Sequence, residues 1–157
     1  MTDLPRHSVS VTGVVFRDDG RVLAIQRDDD GRWVPPGGVL ELDETPTDGV
    51  AREVLEETGM QVRADQLTGV YKNMKLGVVT LAFRCSLVGG QSHSTDEAKR
   101  VEWLTVYEAT QAMPEARAVR VTDALSSDGP FVRAHDGTNL LLQVSLRLQG
   151  RAKARRA

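Results

Sequence analysis

The sequence predicts an α/β protein, and three observations carry that reading. His7–Phe16 alternates between two sets of side chains as a strand does, and Leu76–Val88 is a long apolar run of strand character. Pro46–Thr58 is bounded by helix start and stop signals. A second helical segment, Pro114–Leu125, carries an apolar stripe of Ala118, Val121, Thr122 and Leu125.

In chain order, residues 1–6 read as a loose tail, residues 7–148 as one domain and residues 149–157 as a basic tail expected to be disordered. In the first strand Val9, Val11, Gly13 and Val15 share one side, and Ser8, Ser10, Thr12 and Val14 the other. Asp18-Asp19-Gly20 turns the chain into a hairpin partner, Arg21–Arg27. Arg27–Arg32 reads as a charged, solvated turn. Arg27 itself is placed either to meet a phosphate or to pair with an aspartate. Trp33 and Val34 open a short strand, with Trp33 read as a core anchor. Pro35 and Pro36 then stiffen the approach to Gly37 and Gly38, whose missing side chains permit close approach and unusual dihedrals and offer backbone groups as ligands.

The helix 46–58 follows. Thr45 caps the free amides, Pro46 suits the first helical position, and Gly59 ends the helix in a left-handed conformation. Val62–Tyr71 reads as the start of a second sheet section, interrupted at Lys72–Lys75. In the run that follows, Val79, Leu81, Phe83, Cys85 and Leu87 are expected in the core. Arg84 then faces the less buried side, to fix a phosphate or form a salt bridge. Tyr71 and Phe83 read as core or interface residues in preference to base-stacking ones. A polar loop, 89–95, leads to a strand around Val101 and Trp103, a short turn or helix at Thr105–Ala109, and the second helix. Beyond it, Asp136-Gly137 turns a hairpin and Leu140–Leu148 forms a strand or helix. His135 and Asn139 are worth testing but carry no assigned role.

The 157 residues are 40% apolar and 27% charged, as expected of one ordinary globular domain. A net charge of −2 argues against a stable nucleic-acid partner. The single cysteine, Cys85, excludes a disulfide and a cysteine metal cluster. With neither an apolar leader nor a membrane-length window, a cytoplasmic location without membrane contact is the expectation.

The chemistry concentrates on the first helix. On a wheel of about 100° per residue, Glu53, Glu56 and Glu57 fall on one stripe with Arg52 at its edge. Leu55, Ala51, Thr58 and Val54 fall opposite and want a sheet or a second helix. Like charges on one face repel, and Glu56 and Glu57 sit in the last turn, where the helix dipole disfavours anions. Arg52 relieves part of this through its i,i+4 partner Glu56. A hard divalent cation, Mg2+ or Mn2+, relieves more, with substrate phosphates completing its shell. A solvated acidic face is the alternative.

The spacing around these acids resembles the Nudix hydrolases. Gly38, five residues, Glu44, seven residues, Arg52-Glu53-Val54, one residue, Glu56-Glu57, one residue, Gly59 and Met60 fill every defined position of that family's signature. The resemblance implies an α/β/α sandwich around a mixed sheet and hydrolysis of a nucleoside diphosphate linked to a second group. It implies metal binding by the Gly37 carbonyl, Glu53, Glu56 and Glu57, a supporting role for Glu44, and an orienting role for Arg52. An additional metal-binding or base-supplying acid is expected at Glu97, six residues before Trp103, with Asp96 and Glu102 as competitors. Glu53 is the first choice of general base, then Glu97. Arg27, Arg84 and Gly38 are the expected substrate contacts.

The substrate is expected to be a nucleoside triphosphate or similar small nucleotide. Lys75–Gly77 lacks the proline of some ADP-ribose enzymes, and Met113-Pro114-Glu115 lacks the asparagine often used for oxidised guanine triphosphate. ADP-ribose or nucleotide-sugar hydrolysis remains an alternative, as does a nucleotide-sensing domain without turnover. A family isomerase needs a placed cysteine, for which Cys85 is a poor candidate. Faces near Val70 or Leu140 are the candidates for a homodimer contact.

Overall fold

A computed structural model describes residues 3–91, 93 and 98–142. Glu97, Asp96, most of Leu140–Leu148 and the basic tail therefore lie outside the described residues. Within them the expected α/β/α sandwich is present. One eight-stranded mixed sheet carries helix α1 (Pro46–Thr58) on one face, and helices α2 (Val106–Ala112) and α3 (Glu115–Leu125) on the other.

The strands are β1 (Ser8–Phe16), β2 (Val22–Arg27), β3 (Trp33–Val34), β4 (Gly37–Val39), β5 (Met60–Asn73), β6 (Val78–Gly90), β7 (Ala98–Leu104) and β8 (Phe131–His135). Their order is β3-β2-β1-β6-β5-β8, with β4 paired to β1 and β7 to β2. The β1/β6 and β5/β8 pairs are parallel, the rest antiparallel. The parity read from the sequence sorts β1 correctly. Val11 and Val15 pack with Val50 and Val54 of α1, while Val14 packs with Ala109, Val121 and Ala124 of the other layer. Trp33 is half-buried against that second cluster.

Helix α1 begins and ends where its local chemistry places it. The Thr45 hydroxyl accepts from the Asp48 amide at 3.2 Å, and Gly59 takes a φ of 77°. A left-handed residue at this position is easy only for glycine.

Three expectations are corrected. Val62–Tyr71 does not open a separate sheet section: β5 runs unbroken through Asn73 and pairs with β6 in the same sheet. The turn falls later, where the Asn73 Oδ1 accepts from the amides of Lys75 and Leu76 and Gly77 takes a positive φ. Leu87 is exposed, because β6 extends beyond the core.

The third correction concerns α3. Its buried residues are Ala116, Arg120, Val121, Asp123 and Ala124, while Thr122 and Leu125 are exposed. The helix is rotated relative to its apolar stripe because two charged residues have interior partners. Asp123 accepts from the Tyr71 hydroxyl at 2.7 Å and from both Arg133 Nε and Nη2, at 2.7 and 2.8 Å. Arg120 Nη1 donates to the Thr12 hydroxyl at 3.0 Å. Among the described residues, no helix is long and apolar enough to cross a membrane.

Candidate active site

The site forms where α1 lies over β4. Gly37 and Gly38 are strand residues paired with Thr12 and Val11, and neither has the unusual dihedral expected of it. Close approach is what they supply. A Cβ on Gly37 would sit 2.2 Å from the Val11 carbonyl oxygen, and one on Gly38 would sit 2.5 Å from the Glu53 carboxylate. The Glu53 head group therefore rests directly on the bare backbone of β4.

The acid stripe is not an outward face. Glu53 is 9% exposed and Glu57 5%, both on the buried side of α1 with Val50 and Val54. Leu55, expected to bury, is 45% exposed. Both carboxylates line a cleft of about 580 Å³, together with Gly37, Gly38, Arg27, Asp28 and Asp29. Glu56 does not line it. Its side chain points to the surface and accepts from Arg52 Nη1 at 3.1 Å.

Arg52 holds the cluster together. Its Nε and Nη2 donate to the two Glu44 oxygens at 2.9 and 2.6 Å, and Nη1 donates to Glu53 at 2.9 Å. Nη2 also reaches the Val39 carbonyl. Glu44 in turn accepts from the Glu41 amide at 2.9 Å, which ties the loop between β4 and α1. The Arg52 guanidinium and that amide hold the Glu44 carboxyl down at about 2. Arg52 is raised above its ordinary value by Glu44 first, with Glu53 adding to it.

Oxygen donors of this kind suit a hard divalent ion. Glu53 and Glu57, with the Gly37 backbone, are on the cleft wall and fit one. As arranged, however, no three acidic, histidine or cysteine side chains among the described residues converge on a point. Arg52 accounts for part of this, since it engages one oxygen each of Glu53 and Glu56.

The remaining candidates divide. Arg27 forms the aspartate pair of its alternative reading, to Asp29 at 2.9 and 2.7 Å, and it also lines the cleft. Asp28 and Asp29, taken from sequence as a solvated turn, line it too, and the Arg27 pair lowers Asp29 to about 2. Arg84 is not brought to the acids. Its Nη1 donates to the Ala124 carbonyl, its guanidinium lies 5.1 Å from the Phe16 ring, and it lines a separate hollow with Arg17 and Asp18. Glu102 is an exposed partner of Arg100. Tyr71 and Phe83 are buried, so neither offers a face for a base to stack on. Burial pushes the Cys85 thiol up to about 12, away from thiolate chemistry.

Three residues went unassigned in the sequence. Arg117, Arg120 and His135 line a smaller pocket of about 200 Å³ that shares Arg27, Gly37, Gly38 and Val39 with the acid cleft. The signal available was two arginines one turn apart on a helix read as apolar, facing the polar Ser10-Thr12 side of β1.

A NUDIX domain family model matches residues 6–125. The chain belongs to the Nudix hydrolase family. A MutT-like protein of Streptomyces ambofaciens is 57% identical over 140 residues, covering 89% of this chain and 91% of that protein. An ADP-ribose pyrophosphatase of Methanocaldococcus jannaschii is 32% identical over 103 residues, covering 61% of this chain and 60% of its own length. Among solved structures, an ADP-ribose pyrophosphatase from Streptococcus suis superposes with a TM-score of 0.67 at 23% identity, over 83% of this chain and 100% of that one. At that identity the last match speaks for the fold alone.

Proposed function

We propose that this Nudix protein hydrolyses a diphosphate linkage in a nucleoside diphosphate derivative, using Mg2+ or Mn2+, with a nucleoside triphosphate or similarly small nucleotide as substrate. One observation carries the proposal: two buried carboxylates, Glu53 and Glu57, face a cleft that Arg27 also lines, with the backbone of Gly37 and Gly38 as its floor. Carboxylate oxygens on an open cleft wall are the donors a hard divalent ion prefers, and Arg52 engages only one oxygen of Glu53. A diphosphate taken up with a divalent cation would balance the carboxylates and Arg27 together.

We assign Glu53, Glu57 and the Gly37 carbonyl to hold the ion, with Glu56, turned in from its surface pair with Arg52, and Glu97 as further ligands. When bound, the ion withdraws charge from the phosphate oxygens and acidifies the attacking water. The chain's own residues do the rest. Gly38 keeps the space beside Glu53 clear, and Glu44 and Arg52 fix the direction in which Glu53 presents its carboxylate. Glu53, or Glu97 in its place, takes the proton of the water that attacks phosphorus, and the bridging oxygen leaves with the other phosphate.

A nucleotide-sugar substrate such as ADP-ribose is the second reading, favoured by the name of the M. jannaschii relative. Hydrolysis of a panel of nucleoside triphosphates and nucleotide sugars, with and without magnesium, separates the readings by product. The expected products are a nucleoside monophosphate with pyrophosphate, or AMP with ribose phosphate. Nucleotide binding with no turnover of any member would overturn both in favour of a sensing domain.

A further inference from the structure

We infer that Arg117, Arg120 and His135 form a second anion site beside the carboxylate cleft, which seats a phosphate group of the substrate other than those facing the acids. The inference rests on the hydrolase reading only for the identity of the molecule that carries this phosphate.

The charged part of the pocket lining is of one sign, beside apolar residues such as Leu76 and Val78. Arg27, Arg117, Arg120 and His135 line it, and among the described residues no carboxylate does. Arg120 is 4% exposed and His135 1%. Three donor nitrogens of these residues are buried without a partner: Arg117 Nη1, Arg120 Nε and His135 Nε2. Orphaned donors on three residues that line one small pocket are uncommon in folded proteins and point to an acceptor that the protein alone does not supply.

Internal partners are diverted elsewhere. Asp123 lies one helical turn from Arg120, but its oxygens are taken by Tyr71 and Arg133. Among the described residues Arg120 has the neutral Thr12 hydroxyl and the Tyr71 ring, 5.0 Å away. The His135 Nδ1 accepts from the Gly137 amide at 3.0 Å, which puts the proton of the neutral ring on Nε2. Burial, with Arg120 and Arg117 adding to it, pushes that imidazole down to about 4 and keeps it neutral.

Size and position select the ligand. The volume of about 200 Å³ lies below the range of roughly 300–1,000 Å³ that encloses a whole drug-sized molecule. It suits one group of a larger substrate whose remainder lies over the shared rim at Arg27 and Gly38. Two guanidinium groups and an imidazole N–H match the several acceptor oxygens of a phosphate better than the two of a carboxylate. The substrate class is thus a nucleotide bearing a further phosphate, as a polyphosphate chain or a phosphomonoester.

The test uses the full chain in EDTA, titrated with inorganic phosphate and followed by calorimetry and by Tm. Wild type is expected to bind phosphate and gain Tm. Arg117→Gln and His135→Gln should each weaken binding at least about tenfold, Arg117→Lys should recover part of it, and Glu53→Gln should bind as wild type does. Arg120 is too buried to serve alone; Arg117, half-buried, carries the measurement, with circular dichroism to verify its fold. Absence of phosphate binding by wild type, equal binding by Arg117→Gln and His135→Gln, or equal binding of acetate overturns the site. Each of these leaves hydrolysis through Glu53 standing. Conversely, phosphate bound through Arg117 in a protein that turns over no nucleotide supports the site while defeating the hydrolase reading.

Discussion

The Arg52 guanidinium grips the Glu44 carboxylate through two parallel bonds, Nε to Oε2 at 2.9 Å and Nη2 to Oε1 at 2.6 Å. Only a planar fork makes this pair, and the same guanidinium reaches Glu53 and Glu56 through Nη1. Arg52→Lys keeps the charge and loses the fork. Expected is a fall of about 10- to 100-fold in metal affinity or turnover, the range seen when outer-shell partners of a metal site are removed, with the fold retained. A magnesium titration of activity, run beside circular dichroism, measures both.

Gly37 and Gly38 are neighbours with opposite sensitivities. An alanine methyl at 37 meets the Val11 backbone and forces β1 and β4 apart; at 38 the atoms it first meets are the side-chain carboxylate of Glu53. Gly37→Ala should lower Tm markedly. Gly38→Ala should leave Tm nearly unchanged and abolish most turnover. Thermal melts and initial rates on the two proteins check the contrast.

Helix α1 was legible because its boundaries are local chemistry. Thr45, Pro46 and Gly59 act within a few residues of themselves, and the bounds 46–58 follow. The spacing of Glu44, Arg52, Glu53, Glu56 and Glu57 was legible for the same reason. Which acids are buried was not: a wheel ranks faces by apolarity, whereas Glu53 lies inward because β4 offers it glycine. The polar face of α3 was equally hidden. Arg120 meets Thr12 across 108 residues and Asp123 meets Tyr71 across 52, and no local period encodes such partners.

The Tyr71–Asp123–Arg133 network fixes α3 to β5 and β8. Asp123→Ala strips the buried hydroxyl and Arg133 of their acceptor and should cost about 3–5 kcal/mol, as removing one partner of a buried ion pair does. Tyr71→Phe removes one hydrogen bond and should cost about 1–3 kcal/mol. Urea unfolding of both variants tests the order.

Acid stability should carry two separable components. Glu44 has a carboxyl lowered from 4.5 to about 2, so the stability it contributes is complete above pH 4.5 and is lost as pH falls toward 2. His135 is lowered from 6.5 to about 4 and stays neutral in the folded state. Its unfolded form takes up a proton first, so stability falls between pH 6.5 and 4 and is undiminished by it above that window. The difference in Tm between wild type and Glu44→Gln should shrink below pH 4.5. That between wild type and His135→Asn should change between pH 6.5 and 4.

The most direct measurement is turnover of the best panel nucleotide by Glu53→Gln at saturating magnesium, with magnesium binding and fold checked in the same preparation. The expected result is a folded protein that binds the ion and nucleotide and releases product at least about a hundredfold more slowly, the scale of a lost general base. Near-normal release by that protein would contradict the placement of the chemistry on Glu53.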